Sequence, residues 1–153
     1  MLHFAYGSNM SRALMLARCP DARALGTATL SGWRFVIGPD GYASVITRPG
    51  GRVHGVLWRL SARDLAAVNA YESIQSGLYL LRILPVRNGR ETAPALVYVA
   101  RRQGEGIPRP GYLDAVIEAA LDWNLPPPYI RSIARWSRSR WRGARARETG
   151  EAG

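Results

Sequence analysis

Six strand-like stretches rich in hydrophobic residues recur along the chain, separated by polar turn signals. Gly-Pro-Asp-Gly at 38–41, Arg-Pro-Gly-Gly at 48–51 and Arg-Asn-Gly-Arg at 87–90 are typical of the turns between adjacent strands. The pattern therefore favours hairpins. The predicted strands are Leu2–Tyr6, Thr27–Ile37, Tyr42–Thr47, Val53–Leu60, Tyr79–Val86 and Pro94–Ala100.

Three stretches have helical rather than strand periodicity. They are Met10–Arg18, Ala62–Glu72 and Tyr112–Asn124. In the last, apolar residues recur at spacings of three and four, and the prolines of 126–128 end the pattern. Many short-linked strands with few helices indicate an α+β fold, whose sheet either closes into a small barrel or stays open.

The second helix carries a carboxylate on its apolar face. Ser61 and Asp64 have the spacing of a capping box, which fixes where the helix begins. At about 100° per residue, Leu65, Val68 and Glu72 then share one narrow face. If that face turns inward, burial raises the pKa of Glu72 toward neutrality, as a proton-transferring group requires. The alternative is a surface glutamate in the last helical turn, exposed or paired with an arginine.

The loop Gly7-Ser8-Asn9 lies between the first strand and the first predicted helix. Ser8 or Asn9 is expected to cap that helix, while its first amides point outward and attract a carboxylate or an oxyanion. Gly7 permits a tight turn and the close approach of a ligand, and Tyr6 offers a hydroxyl. Ordinary helix capping explains the same residues without any ligand.

The net charge of +10 on 153 residues is unevenly distributed. All 21 basic residues are arginines, and seven of them lie in Arg131–Arg147 together with Trp136 and Trp141. The length fits one domain, predicted at 1–130, followed by an Arg-rich extension at 131–153 whose last dozen residues are expected to be disordered. The extension leaves a nucleic-acid or acidic-surface binding protein as an alternative function, although a solvated terminal segment is favoured.

Several kinds of chemistry are not expected. With one cysteine, Cys19, and two histidines, His3 and His54, the chain lacks the sequence pattern of a zinc site or an internal disulfide. Neither a phosphate-binding glycine motif nor a nucleophile elbow is present, and Gly-Glu-Gly-Ile-Pro-Arg-Pro-Gly at 104–111 reads as a connection over a site. No segment resembles a leader or a membrane span, so we expect a cytoplasmic protein without cofactor or metal, with nucleic acid an unfavoured partner.

Four motifs occur in a characteristic order, namely FAYGSNM at 4–10, VHGVLWRLS at 53–61, YESIQSGLY at 71–79 and YLDAVIEAALDWNLPPPYI at 112–130. This order resembles the γ-glutamylcyclotransferase-like family, and the likeness covers about Leu2–Ile130. The Tyr-Gly-Ser-Asn loop, followed some sixty residues later by a glutamate and a Gly-x-Tyr, is the most specific part.

The resemblance implies a compact α+β fold built on a small mixed or antiparallel β-barrel with one cavity. It implies that Glu72 is the general acid and base, and that Tyr6, Gly7, Ser8 and Asn9 line the binding site. Tyr79, two residues past Gly77 at the start of the following strand, is a further candidate to hydrogen-bond the substrate, and Tyr98 on the last strand is a weaker one. The implied reaction converts a γ-glutamyl amide to 5-oxoproline and a free amine. The family often has Glu-Gly where this chain has Glu72-Ser73, so the identity of the leaving amine stays open, as does a fold that binds a metabolite without catalysis.

Overall fold

A computed structural model describes residues 1–72 and 77–137. Trp141 of the Arg-rich extension lies outside the described residues, as do the last dozen residues, which were predicted to be disordered. The strands are β1 (Leu2–Ala5), β2 (Arg23–Ile37), β3 (Ala43–Arg59), β4 (Tyr79–Asn88) and β5 (Glu91–Ala100). The helices are α1 (Arg12–Arg18), α2 (Ala62–Tyr71), α3 (Tyr112–Asp122) and α4 (127–137), and a 3₁₀ turn spans Ser8–Met10.

The five strands close into a barrel in the order β1-β3-β2-β4-β5. β1 lies antiparallel to β3 along its whole length, and a single parallel pair, His3 with Leu96 of β5, closes the barrel. The predicted α+β barrel is therefore confirmed, with five strands in place of about six.

Two of the predicted strands form a single long one. Apart from Tyr42 and Leu60 at their outer ends, the predicted strands Tyr42–Thr47 and Val53–Leu60 lie within β3, which pairs with β2 on either side of an irregular stretch at residues 48–51. There the register changes, since Ser31 pairs with Arg52 but Trp33 pairs with Thr47. A Pro-Gly-Gly sequence is typical of a turn, but here the flanking pairs with β2 keep both halves in the same sheet.

The first helix begins later than the sequence pattern predicts. Residues 8–10 form the 3₁₀ turn, and α1 is capped by Ser11, whose hydroxyl accepts a hydrogen bond from the amide of Leu14. The prediction that Ser8 or Asn9 caps this helix is therefore wrong. Ser11 is the residue with extended backbone angles before the first helical turn, which is the conformation that a cap requires.

The last two helices cover the barrel and the 3₁₀ turn. Val116 of α3 is fully buried, and the indole of Trp123 donates a 2.7 Å hydrogen bond to the carbonyl of Met10 at the end of the turn. In α4, Ile133 is fully buried and Trp136 packs against the same core. The packed body thus extends past residue 130, while the division of the chain at that residue stays a prediction.

Candidate functional site

A cavity of about 300 Å³ opens between β1, the 3₁₀ turn and the carboxyl end of α2. All seven residues predicted for the site line it, namely Tyr6, Gly7, Ser8, Asn9, Glu72, Tyr79 and Tyr98. They come from four separate parts of the chain, and the barrel brings them to one place. Their individual roles stay predictions.

Glu72 reaches the cavity because it directly follows α2. Ser61 caps the helix by accepting a hydrogen bond from the amide of Asp64, so the register is the predicted one. Val68 and Asp64 are buried on the face that continues to Glu72, which lies one turn beyond Val68. Burial raises the pKa of Glu72 from 4.5 to about 7, and Arg18 opposes this shift by favouring the ionised carboxylate. A carboxyl with this pKa both accepts and donates a proton at neutral pH.

The carboxyl of Glu72 is tied to the loop after β1 by one side chain. Asn9 is buried, and its amide nitrogen donates a 3.1 Å hydrogen bond to Oε1 of Glu72. The amide oxygen of Asn9 accepts a hydrogen bond from the guanidinium of Arg18, which stacks on the ring of Tyr71 at 3.4 Å from its centroid. Asn9 therefore positions the carboxyl between the loop and α2, which is why its side chain is not engaged in capping α1.

Four of the tyrosines that line the cavity are close enough to Glu72 to be affected by its charge. The hydroxyls of Tyr6 and Tyr98 donate to the carbonyl of Tyr98 and to the side-chain oxygen of Asn69, and Tyr79 donates a 2.9 Å bond to the carbonyl of Ala43. Tyr112 accepts a 3.2 Å bond from the amide of Ala43. Burial raises the pKa of each tyrosine, and the charge of Glu72 raises it further. All four are therefore neutral at pH 7, which leaves Glu72 as the group with a pKa near neutrality.

Gly7 leaves room that a side chain would fill. A Cβ atom added there would lie 2.9 Å from the hydroxyl oxygen of Tyr112 and 3.4 Å from the Cβ of Ala43. The backbone angles of Gly7 lie outside the left-handed region, so the constraint at this position is space and not conformation.

Sequence reasoning missed several residues of the cavity wall, among them His3, Tyr42, Arg109 and Tyr112. Burial lowers the pKa of His3 to about 4, so its ring is neutral, and its Nδ1 lies 3.2 Å from the carbonyl of Leu96. Arg109 belongs to the segment 104–111, which was predicted to be a connection over a site. No periodicity marks these residues, because contacts between parts of the chain that are far apart in sequence place them in the wall.

The arrangement supports proton transfer to and from a bound small molecule. Among the described residues, no group of three or more His, Cys, Asp or Glu side chains could hold a metal ion. No helix in residues 1–72 and 77–137 is long and apolar enough to cross a membrane.

A family model described as Gamma-glutamyl cyclotransferase, AIG2-like matches residues 3–123. The chain belongs to this family. The match includes all seven predicted site residues, and the resemblance stated from the sequence motifs is confirmed.

Individual relatives share the fold at low sequence identity. The chain is 25% identical over 154 residues to Gamma-glutamylcyclotransferase of Mus musculus, covering 93% of this chain and 81% of the mouse protein. It is 26% identical to Gamma-glutamylcyclotransferase of Homo sapiens over 144 residues, with coverage of 86% and 76%.

Solved structures resemble the whole barrel. A structure named Gamma-glutamyl cyclotransferase superposes with a TM-score of 0.81 at 23% identity, covering 88% of this chain and 86% of its own. YkqA from Bacillus subtilis superposes with a TM-score of 0.78 at 24% identity, covering 91% of this chain and 54% of its own. Both likenesses establish the fold.

Proposed function

We propose that this protein is a γ-glutamylcyclotransferase, which converts a γ-glutamyl amide to 5-oxoproline and a free amine. The single observation that carries the proposal is the Glu72 carboxyl in the cavity, with a pKa of about 7 and a hydrogen bond from Asn9. Membership of the family supports a small-molecule substrate. The cytoplasmic location expected from the sequence is kept as part of the proposal.

The reaction requires no external nucleophile. The ionised Glu72 takes a proton from the α-ammonium group of the substrate, and the resulting amine attacks the γ-carbonyl carbon of the same molecule. A C–N bond forms, the carbonyl oxygen becomes an oxyanion, and the five-membered ring closes. Glu72 returns its proton to the leaving nitrogen, whose bond to the carbon breaks as the oxyanion electrons re-form the carbonyl. The ring nitrogen still carries one excess proton, which the now ionised Glu72 takes and passes to the freed amine. Two protons have then moved from the attacking to the leaving nitrogen, and Glu72 is ionised again.

Orientation and proton transfer are the two contributions of the protein. Holding a flexible γ-glutamyl chain bent supplies part of the about 7–11 kcal/mol that positioning provides in intramolecular reactions. We assign this task to the loop Tyr6–Asn9, through its backbone amides, and to the hydroxyls of Tyr79 and Tyr98. A positioned acid and base adds about 10²–10⁴-fold, and we assign that task to Glu72.

The test is release of 5-oxoproline from a panel of γ-glutamyl compounds. The panel contains γ-glutamyl amino acids, γ-glutamyl polyamines and γ-glutamyl alkylamides, and chromatography quantifies 5-oxoproline and the freed amine in equal amounts. Turnover of at least one class by the native protein, lost in Glu72→Gln, is the expected result. Equal 5-oxoproline release with and without the protein for every compound would overturn the proposal.

A further inference from the structure

A second groove lies on the outer face of the barrel, away from the candidate active site. It has a volume of about 410 Å³ and is formed by the strands β2, β3 and β4 and by the α3–α4 connection at Asn124–Pro126. No residue lines both this groove and the cavity that contains Glu72. The groove therefore requires an explanation of its own.

The strand register places three kinds of hydrogen-bond donor side by side in this groove. Thr29 of β2 pairs with His54 of β3 on one side and with Arg87 of β4 on the other. Residues directly opposite each other on neighbouring strands project from the same face of the sheet. A hydroxyl, an imidazole and a guanidinium thus form one row across three strands.

A second row continues the same face. Ser31 pairs with Arg52, and both lie two residues along their strands from Thr29 and His54. Thr27 lies two residues in the other direction and also lines the groove. Together with Thr27, the two rows supply three hydroxyls, two guanidinium groups and one imidazole.

The charge of the groove is entirely positive. None of the residues that line it is acidic, so no lining carboxylate neutralises Arg52 or Arg87. The charged and titratable groups that face His54 are Arg52 on its own strand, Arg87 across Thr29, and the ring of Tyr129 from α4 at 4.7 Å. Burial and the charge of Arg52 lower the pKa of His54, so the imidazole is neutral at pH 7.

We propose that this groove binds the phosphate group of a small phosphorylated molecule. Two guanidinium groups match the two negative charges of a phosphomonoester, and the hydroxyls of Thr27, Thr29 and Ser31 can donate to its remaining oxygen lone pairs. A planar carboxylate has one negative charge and two oxygens, so it would leave one guanidinium group without a countercharge and several donors without an acceptor. The volume of the groove, about 410 Å³, leaves space for the organic part of the molecule beside Asn124.

The chain offers a direct probe, because its two histidines lie in the two different cavities. The ring protons of His3 and His54 are followed by NMR during pH titrations at constant ionic strength, with inorganic phosphate, glycerol phosphate or acetate added. An opposite charge within about 4–6 Å raises a histidine pKa by one pH unit or more. The expected result is such a rise for His54 with both phosphates, an unchanged His3, and at least tenfold weaker binding of acetate. The affinities for the two phosphates are then compared. If the groove binds a phosphorylated molecule, glycerol phosphate is expected to bind more tightly than inorganic phosphate.

The variants Arg52→Gln and Arg87→Gln test whether binding is local. Both arginines are exposed, so the fold is expected to persist, and each variant weakens phosphate binding by about tenfold. Thr29→Val, which keeps the shape and removes the central hydroxyl, is the second test of the same site. Arg63→Gln removes an exposed charge on α2 and serves as the matched control. An unchanged His54 titration in phosphate, equal binding of acetate, or an equal loss in Arg63→Gln and Arg52→Gln would overturn the proposal.

Discussion

Replacement of Glu72 by glutamine is the most informative perturbation of the candidate active site. The amide has the shape of the carboxyl, and its oxygen can still accept the hydrogen bond from Asn9 that now reaches Oε1 at 3.1 Å. The change therefore removes proton transfer and little else. We expect substrate binding to persist while turnover falls by about 10²–10⁴-fold, which is the usual contribution of a general acid and base.

The raised pKa predicts the pH dependence of both activity and stability. Glu72 must be ionised to take the first proton. We therefore expect kcat/KM to increase as the pH rises through the Glu72 pKa of about 7, and to decrease at lower pH. For stability, the folded protein binds more protons than the unfolded chain between pH 4.5 and about 7, so this group lowers the free energy of unfolding as the pH rises through that window. At 1.36 kcal/mol per pH unit, the rise of the Glu72 pKa from 4.5 to about 7 lowers the free energy of unfolding by about 3 kcal/mol across this window. The glutamine variant loses this pH dependence and is expected to be the more stable protein at pH 8.

The assay measures 5-oxoproline release and thermal unfolding on the same preparations. Glu118→Gln is the matched control, because Glu118 is exposed on α3 and does not line the cavity. Asp64 would be a poor control, although it lies at the start of the same helix, because its side chain is 1% exposed. Wild-type turnover in Glu72→Gln, on a substrate that the native protein processes, would refute the assignment of the acid and base.

Three further outcomes follow from the contacts described above. Gly7→Val is expected to weaken binding of 5-oxoproline at least tenfold, measured by calorimetry, because the new side chain meets the Tyr112 hydroxyl. Unchanged affinity in the folded variant would exclude the loop from the site. Arg18→Gln removes the charge that favours the ionised form of Glu72, so the acidic limb of the kcat/KM profile moves to higher pH, and a profile that stays in place would contradict this coupling. Ile133→Ala is expected to lower the free energy of unfolding by about 2–5 kcal/mol, measured by denaturant titration, because Ile133 is fully buried, and a loss below 1 kcal/mol would separate α4 from the core.

The fold could be predicted wherever the pattern is local. The period of α2 placed Val68 and Glu72 on one face, and Ser61 marked where that helix begins. The start of α1 was missed because Ser8, Asn9 and Ser11 are all acceptable caps. The sequence shows neither that residues 8–10 form a 3₁₀ turn nor that the side chain of Asn9 contacts Glu72. The same holds for β3, whose continuity depends on its pairing with β2 and not on its own sequence.

The sequence motif predicted the position of the cavity, but it did not predict all of the residues that form the cavity wall. The spacing from Tyr6 to Glu72 identified one glutamate among several acidic residues, but Tyr112 and His3 have no local signal that distinguishes them from core residues. Their place in the wall depends on contacts between residues far apart in sequence, such as the amide of Ala43 with the hydroxyl of Tyr112. A single sequence without this topology leaves them indistinguishable from any buried aromatic residue.

The closure of the barrel by His3 and Leu96 bears on the order in which the cavity assembles. These partners are 93 residues apart in sequence, and the loop Tyr6–Asn9 follows β1 directly. Because Tyr98 of β5 lies in the cavity wall with this loop, the wall is complete only when β5 has joined the barrel. Contacts of such long sequence separation slow folding, because the loop-closure entropy must be overcome before the pairing is made. We therefore expect the candidate active site to be among the last parts of this protein to form, and a chain interrupted before β5 to lack the cavity even where its hairpins have formed.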